Sequence, residues 1–281
     1  MTALPTETAV PPRNRFITSD GVALRVVESG PAAPVTVVLA HCWTCDHTSW
    51  DDVVAKLGPE VRVLRYDHRG HGRSGVGEPS IARLGDDLAE LIEQRVAGKV
   101  VLAGHSLGGM TIMALGERHP ELVRRRVAGA VFVATSAGPF RMKPWLLKVE
   151  QIAGLRTARR DPRARALPSL LLRPLLFGAR PQRTSVVETA RQMARAHPAS
   201  MAGFRGSILR HDRTKALSAF RKIPTAVLVG DADKLTPPTT ARAIARALPA
   251  AEFTVFPRAG HMLPYERSAE VAARIWRIAH A

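Results

Sequence analysis

Cysteine is almost absent from this 281-residue chain, which holds only Cys42 and Cys45. Two thiols cannot staple a disulfide scaffold. No second pair is present to complete a four-ligand zinc site, and His41 and His47 do not stand at a ligand spacing. The C-x-x-C spacing is that of some redox pairs, but from sequence alone the plainer account is two reduced thiols on a loop after a strand. Long apolar runs are missing too. Nowhere do about eighteen uncharged apolar residues follow one another, so no membrane-spanning helix is expected. The opening MTALPTETAVPPRNRF contains no apolar stretch of secretory length, and the expected address is cytoplasmic. There is no internal repeat.

Acidic residues are in short supply, 24 Asp plus Glu against 41 Lys plus Arg, for a formal net charge of +17. The excess is local. Between Pro139 and Lys222 there are 19 Lys plus Arg and 4 Asp plus Glu, a net of +15, which leaves +2 for everything else. A compositional habit of the whole chain would not spare the rest of it. Such a segment attracts anions: an anionic substrate, an acidic acyl-carrier protein, or an anionic membrane surface at which the protein would sit peripherally. Nucleic acid is not expected, because no nucleic-acid motif accompanies the arginines.

A hydrophobic content of 46% is enough to bury one substantial core. Residues 1–14, rich in proline and threonine, read as a flexible leader. Phe16 to Thr18 and Val22 to Val27 then flank Asp20-Gly21, a pair suited to a tight hairpin. Short, nearly continuous apolar runs follow: Val35 to Ala40, Val61 to Tyr66, Val100 to Ala103, Val127 to Ala134, Ala226 to Val229 and Phe253 to Phe256. Strands buried on both faces have this pattern. Between them, Ile81 to Glu93, Leu107 to Arg118, Thr239 to Leu248 and Ser268 to Ala279 carry apolar residues at helical spacing. Alternation of this kind predicts an α/β domain with a mostly parallel central sheet flanked by helices, formed by residues 15–138 and 222–281. Residues 139–221 break the alternation with helical pieces and repeated prolines. They are too long for a plain connection and read as an inserted helical cap.

The chemistry gathers at a few points. Gly104-His105-Ser106-Leu107-Gly108 is a G-x-S-x-G string directly after a strand and directly before a helix. A sharp strand-to-helix turn holds a serine hydroxyl in the open, glycines permit the tight backbone approach, and the helix start supplies N–H groups and a positive dipole end. Downstream, Asp231 and Asp233 lie on the loop leaving Ala226 to Val229, where a carboxylate could orient a histidine. His261 follows the last strand, at the carboxyl edge where open α/β sheets place their ligands. The order Ser, Asp, His is the one found in serine hydrolases of this architecture.

Together with His41, Tyr66-Asp67-His68-Arg69-Gly70-His71-Gly72-Arg73-Ser74 and Gly230 to Pro237, these residues give a chain that resembles the α/β-hydrolase superfamily. The resemblance is to its branch of serine esterases, thioesterases and cofactor-free haloperoxidase-like enzymes, and it covers roughly residues 16–138 and 222–281. It implies Ser106 as nucleophile, His261 as general base and Asp233, in a G-x-x-D-x-x-x-P string, as the orienting acid. It implies an oxyanion hole from the backbone N–H groups of Leu107 and Trp43, with no metal or organic cofactor. Cys42 stands where relatives commonly carry glycine. His41, Cys42, Met110 and Trp145 are candidate substrate-pocket residues, whereas the Asp67 to Ser74 string is expected to shape a loop. The implied activity is ester cleavage through an acyl-enzyme. A thioesterase or a perhydrolase would use the same triad, and a non-catalytic binding protein on this scaffold is the alternative of a different class. Epoxide hydrolases and dehalogenases of the superfamily carry aspartate, not serine, at the elbow.

Overall fold

A computed structural model of the chain describes residues 14–139 and 173–281. Most of the expected leader and the first part of the expected cap lie outside the described residues. Strands β1 (Arg15–Ile17) and β2 (Ala23–Ser29) form the expected antiparallel hairpin, with Gly21 at φ +83° in its turn. They continue into β3 (Val35–Ala40), β4 (Val63–Tyr66), β5 (Lys99–His105), β6 (Val127–Val133), β7 (Thr225–Gly230) and β8 (Glu252–Phe256). The eight strands form one sheet in the order β1-β2-β4-β3-β5-β6-β7-β8. β2 runs antiparallel to β4, and every pairing from β4 to β8 is parallel.

Period-two alternation divides each apolar strand between two cores. From β3, Val38 and Ala40 enter one core together with Leu102, Phe132 and Val227; Val37 and Leu39 enter the other with Val101, Val131 and Leu228. The first core is covered by α2 (Ile81–Arg95) and α3 (Leu107–Arg118), the second by α1 (Asp51–Leu57) and the C-terminal α9 (Ser268–Ala279). Burying each Leu or Val here contributes about 1.5–3 kcal/mol relative to leaving it in water. Helices α1 and α4 (Pro120–Arg126) went unforeseen because each has only seven residues and two buried positions, too few to display a helical period.

Strand order positions the site. From β3 the chain goes to β4 on one side, then crosses back to β5 on the other, so the order in which strands are added reverses between the parallel neighbours β3 and β5. The loops leaving the carboxyl ends of these two neighbours diverge and leave a crevice. His41 to Cys45 follow β3 and Ser106 follows β5.

The described part of the expected cap is helical, with one turn at 173–176, α5 (Arg183–Arg195) and α6 (Pro198–Leu209). It closes with a 3-10 helix, Thr214–Phe220, whose Leu217 and Phe220 are buried in the main core beneath α3. Helices α7 (Pro238–Ala247) and α8 (Leu263–Glu266) complete the described elements. No helix among the described residues is long and apolar enough to cross a membrane.

Candidate active site

The elbow after β5 is tight enough to dictate its residues. A Cβ on Gly104 would lie 2.4 Å from the carbonyl of Gly108, and one on Gly108 would lie 2.1 Å from the carbonyl oxygen of Ala40. Ser106 has φ 52° and ψ −110°, a conformation rare for a residue with a side chain and worth roughly 1–3 kcal/mol of strain. Neighbouring bonds hold it there. The Ser106 N–H donates to Val133 O at 2.9 Å, and the Thr135 hydroxyl donates to Ser106 O at 2.7 Å. Ser106 is half-buried and stands at the N-cap of α3, whose first residue is Leu107, so the Leu107 N–H belongs to the helix's unpaired first turn.

Asp233 is buried on the loop after β7. One of its oxygens accepts from the N–H groups of Leu235 and Thr236, both at 2.9 Å; the other accepts from the Thr236 hydroxyl at 2.8 Å and from His261 Nδ1 at 2.9 Å. Asp231, two residues earlier, is exposed. The two aspartate candidates are thereby separated by their surroundings, and only Asp233 meets the histidine. Because Nδ1 is the nitrogen engaged with Asp233, Nε2 is the one left to deal with a substrate or nucleophile.

Burial by itself depresses the affinity of His261 for a proton, but the charge and hydrogen bond of Asp233 outweigh it and hold the imidazole above the ordinary histidine range. Burial likewise favours the neutral Asp233 carboxyl, and the charge of His261, its hydrogen bond and the donors of Thr236 overcome that and lower it. Both shifts favour the same charged pair.

The His261 loop is tied down from three directions. His105, beside Ser106 in sequence, donates from Nε2 to the His261 carbonyl at 2.8 Å. The N–H groups of His261 and Met262 both donate to Leu176 O, at 2.8 and 3.1 Å. Glu266 accepts from Gly260 N–H at 3.0 Å and from Gly178 N–H at 2.7 Å.

The remaining candidates fall in different places. The His41 ring is buried, with Nδ1 donating to Cys42 O at 2.7 Å and Nε2 accepting from His68 N–H at 2.9 Å, so both nitrogens are spent on joining the two loops. Cys42 is buried with Cys45, Phe177 and Met262. Met110 is buried with Leu107, Phe204 and Ile208 in a cluster against which half-buried Trp43 packs. Trp145 lies outside the described residues. In the Asp67 to Ser74 string, Asp67 accepts from His47 and from Arg73 N–H, and the fully buried Arg69 forks onto Asp87 and Asp20 at 2.6 to 3.0 Å. Asp46, His47 and Asp67 approach one another closely enough to suggest a cation. Their oxygens are already engaged, Asp46 by Thr48 N–H and Arg195, Asp67 by His47 and Arg73.

Thr236, Thr135 and Glu266 were not singled out from sequence. Thr236 carried the one usable signal, its place inside the Gly230 to Pro237 string. Thr135 and Glu266 act through partners distant in the chain.

Comparisons with known proteins bear on the family and the fold. The chain belongs to the alpha/beta hydrolase family, whose model matches residues 37–274. Among solved structures, an esterase from Thermogutta terrifontis superposes with a TM-score of 0.75 at 27% identity, covering 95% of this chain and 98% of that one. The enol-lactonase of Burkholderia xenovorans superposes with a TM-score of 0.80 at 21% identity, covering 95% and 100%. In sequence, 3-oxoadipate enol-lactonase 1 of Acinetobacter baylyi is 35% identical over 92 residues, 32% of this chain and 35% of that protein. The chain spans only 17% to 35% of the length of the first curated relatives it matches.

Proposed function

We propose that this chain is a serine hydrolase that cleaves a carboxylic ester by two-step acyl transfer, and one observation carries the reading. Asp233, on the loop after β7, and His261, on the loop after β8, form a buried, 2.9 Å hydrogen-bonded pair, and the His261 loop is anchored through His105 to the elbow that presents Ser106. In this reading His261 Nε2 takes the proton of the Ser106 hydroxyl as its oxygen attacks the ester carbonyl. Asp233 keeps the proton on Nδ1 and stabilises the imidazolium. The N–H groups of Leu107 and Trp43 receive the developing oxyanion. The protonated histidine then gives its proton to the departing alcohol, and water activated by the same nitrogen releases the acid. The esterase and enol-lactonase likenesses support ester cleavage in particular. The basic segment is proposed to draw anionic esters to the site.

The test is a fluorophosphonate probe, which reacts only with an activated serine. Labelling of the native protein that disappears in Ser106→Ala, together with turnover of acyl p-nitrophenyl esters by the native protein alone, is the expected result. Absence of labelling, or labelling that survives Ser106→Ala, rejects the reading.

A further inference from the structure

A cavity of about 340 Å³ lies between residues 177–185 of the expected cap and residues 258–267, which flank His261 in sequence. That volume is at the small end of small-molecule pockets. Ser106, Asp233 and His261 do not line it. Its two sides are fixed to each other through the backbone: Ala179 N–H donates to Arg258 O at 3.2 Å, and Gly178 N–H donates to Glu266 at 2.7 Å.

Three arginines and one glutamate line the cavity. Arg180 and Arg258 are exposed, and their guanidinium groups make no ion pair or hydrogen bond among the described residues. Arg267 is pinned by donating to Glu266 O at 2.8 Å and to Pro257 O at 2.7 Å; its one ion pair among the described residues, to Glu270, is long at 3.9 Å. Glu266 turns its carboxylate to the N–H groups of Gly260 and Gly178. Three positive charges against one negative leave a charge of +2 on the lining.

Helix α5 starts at the same cavity. Its N-cap, Gln182, is extended and supplies no side-chain cap, and the N–H groups of Arg183, Thr184 and Ser185 have no acceptor among the described residues. Gln182 and Ser185 both line the cavity. Ser185 is only 7% exposed, yet its hydroxyl has no hydrogen-bond partner among the described residues. A hydroxyl so enclosed is ordinarily bonded, and here what it meets is the cavity.

We propose that the cavity binds the phosphate of a small phosphate monoester, at a site separate from the catalytic triad. Such a phosphate carries about −1.5 to −2 near pH 7 and presents three strong acceptor oxygens, which matches the lining; a carboxylate leaves about one positive charge unbalanced. Its oxygens accept from the guanidinium groups of Arg180 and Arg258, from the first N–H groups of α5 and from the Ser185 hydroxyl. The rest of the volume takes a short organic tail. Because the ligand touches both sides, it holds residues 177–185 against the loop that carries His261.

The readout is binding, so failure here and failure of the hydrolase reading are distinguishable. Calorimetric titration of the native full chain with glycerol 3-phosphate, at fixed ionic strength, should show one site, and glycerol should show none. Arg180→Ala and Arg258→Ala should each weaken binding about tenfold or more, the loss that goes with one charge-assisted hydrogen bond. Both side chains are exposed and unpaired among the described residues, so removing them leaves the fold unchanged. Arg246→Ala removes an exposed arginine of α7 that does not line the cavity, and it should bind as the native chain does. Ser106→Ala should bind equally well. Absence of binding, binding indifferent to the Arg180 and Arg258 changes, equal weakening by Arg246→Ala, or loss of binding in Ser106→Ala each overturns the proposal.

Discussion

Replacing Asp233 by asparagine changes one atom that faces His261, and the structure says what that atom must do. The oxygen bonded by Leu235 and Thr236 N–H groups can remain the amide oxygen, so the loop keeps its two backbone bonds. The other position becomes an NH₂ group against His261 Nδ1, which now has to accept instead of donate. The ring proton moves to Nε2, the nitrogen that should receive the serine proton, and the charge that stabilised the imidazolium is gone. Loss of tautomer and charge together lowers kcat by about 10³–10⁴, equivalent to about 4–5.5 kcal/mol of transition-state stabilisation. Stability falls less, by about 1–3 kcal/mol, as for a compromised buried hydrogen bond. Asp231→Asn is the matched control: its side chain is exposed, and turnover should stay within about twofold of native, as for a surface change of under about 0.5 kcal/mol. Steady-state hydrolysis of a p-nitrophenyl ester, with chemical denaturation of all three proteins, makes the comparison. If Asp231→Asn proves the more damaging for turnover, the assignment of the acid is refuted.

The same pair sets a pH dependence. The free enzyme needs neutral His261, which is held above its ordinary value of 6.5 by Asp233, so kcat/KM should rise with pH through a midpoint above 6.5; a midpoint below it, or a flat profile, contradicts His261 as base. The accompanying stability from His261 is fully present below its unfolded value and lost as pH rises through the folded one, while that from Asp233 is present above its unfolded value and lost as pH falls through its lowered folded one. Gly108→Ala should lower Tm by on the order of 5 °C, since its Cβ would meet backbone at Ala40 and overpacking costs about 1–3 kcal/mol; an unchanged Tm in calorimetry would mean the elbow is looser than described. Salt should depress kcat/KM more for a carboxylate-bearing ester than for a neutral ester of equal length, because screening beyond roughly 8–10 Å removes steering by the basic segment. Identical salt responses would dispose of steering.

What the chain determined by itself was whatever short-range chemistry can express. Apolar runs of strand length announced the neighbourhoods of six of the eight strands, and Asp20-Gly21 announced the hairpin that contains the other two. The elbow was legible because its steric demands, glycine at 104 and 108 around Ser106, fall within five residues. Tertiary structure alone decided matters that depend on burial and on partners far apart in sequence. The family string favoured Asp233 over Asp231, but only the fold buries one against His261 and leaves the other in water. Thr236 reaches His261 across 25 positions and His105 reaches it across 156, distances at which no local pattern survives. Hydrogen-bond geometry and desolvation arise from packing, so the chemical character of these groups was settled only when the β3, β5, β7 and β8 loops came together at one edge of the sheet.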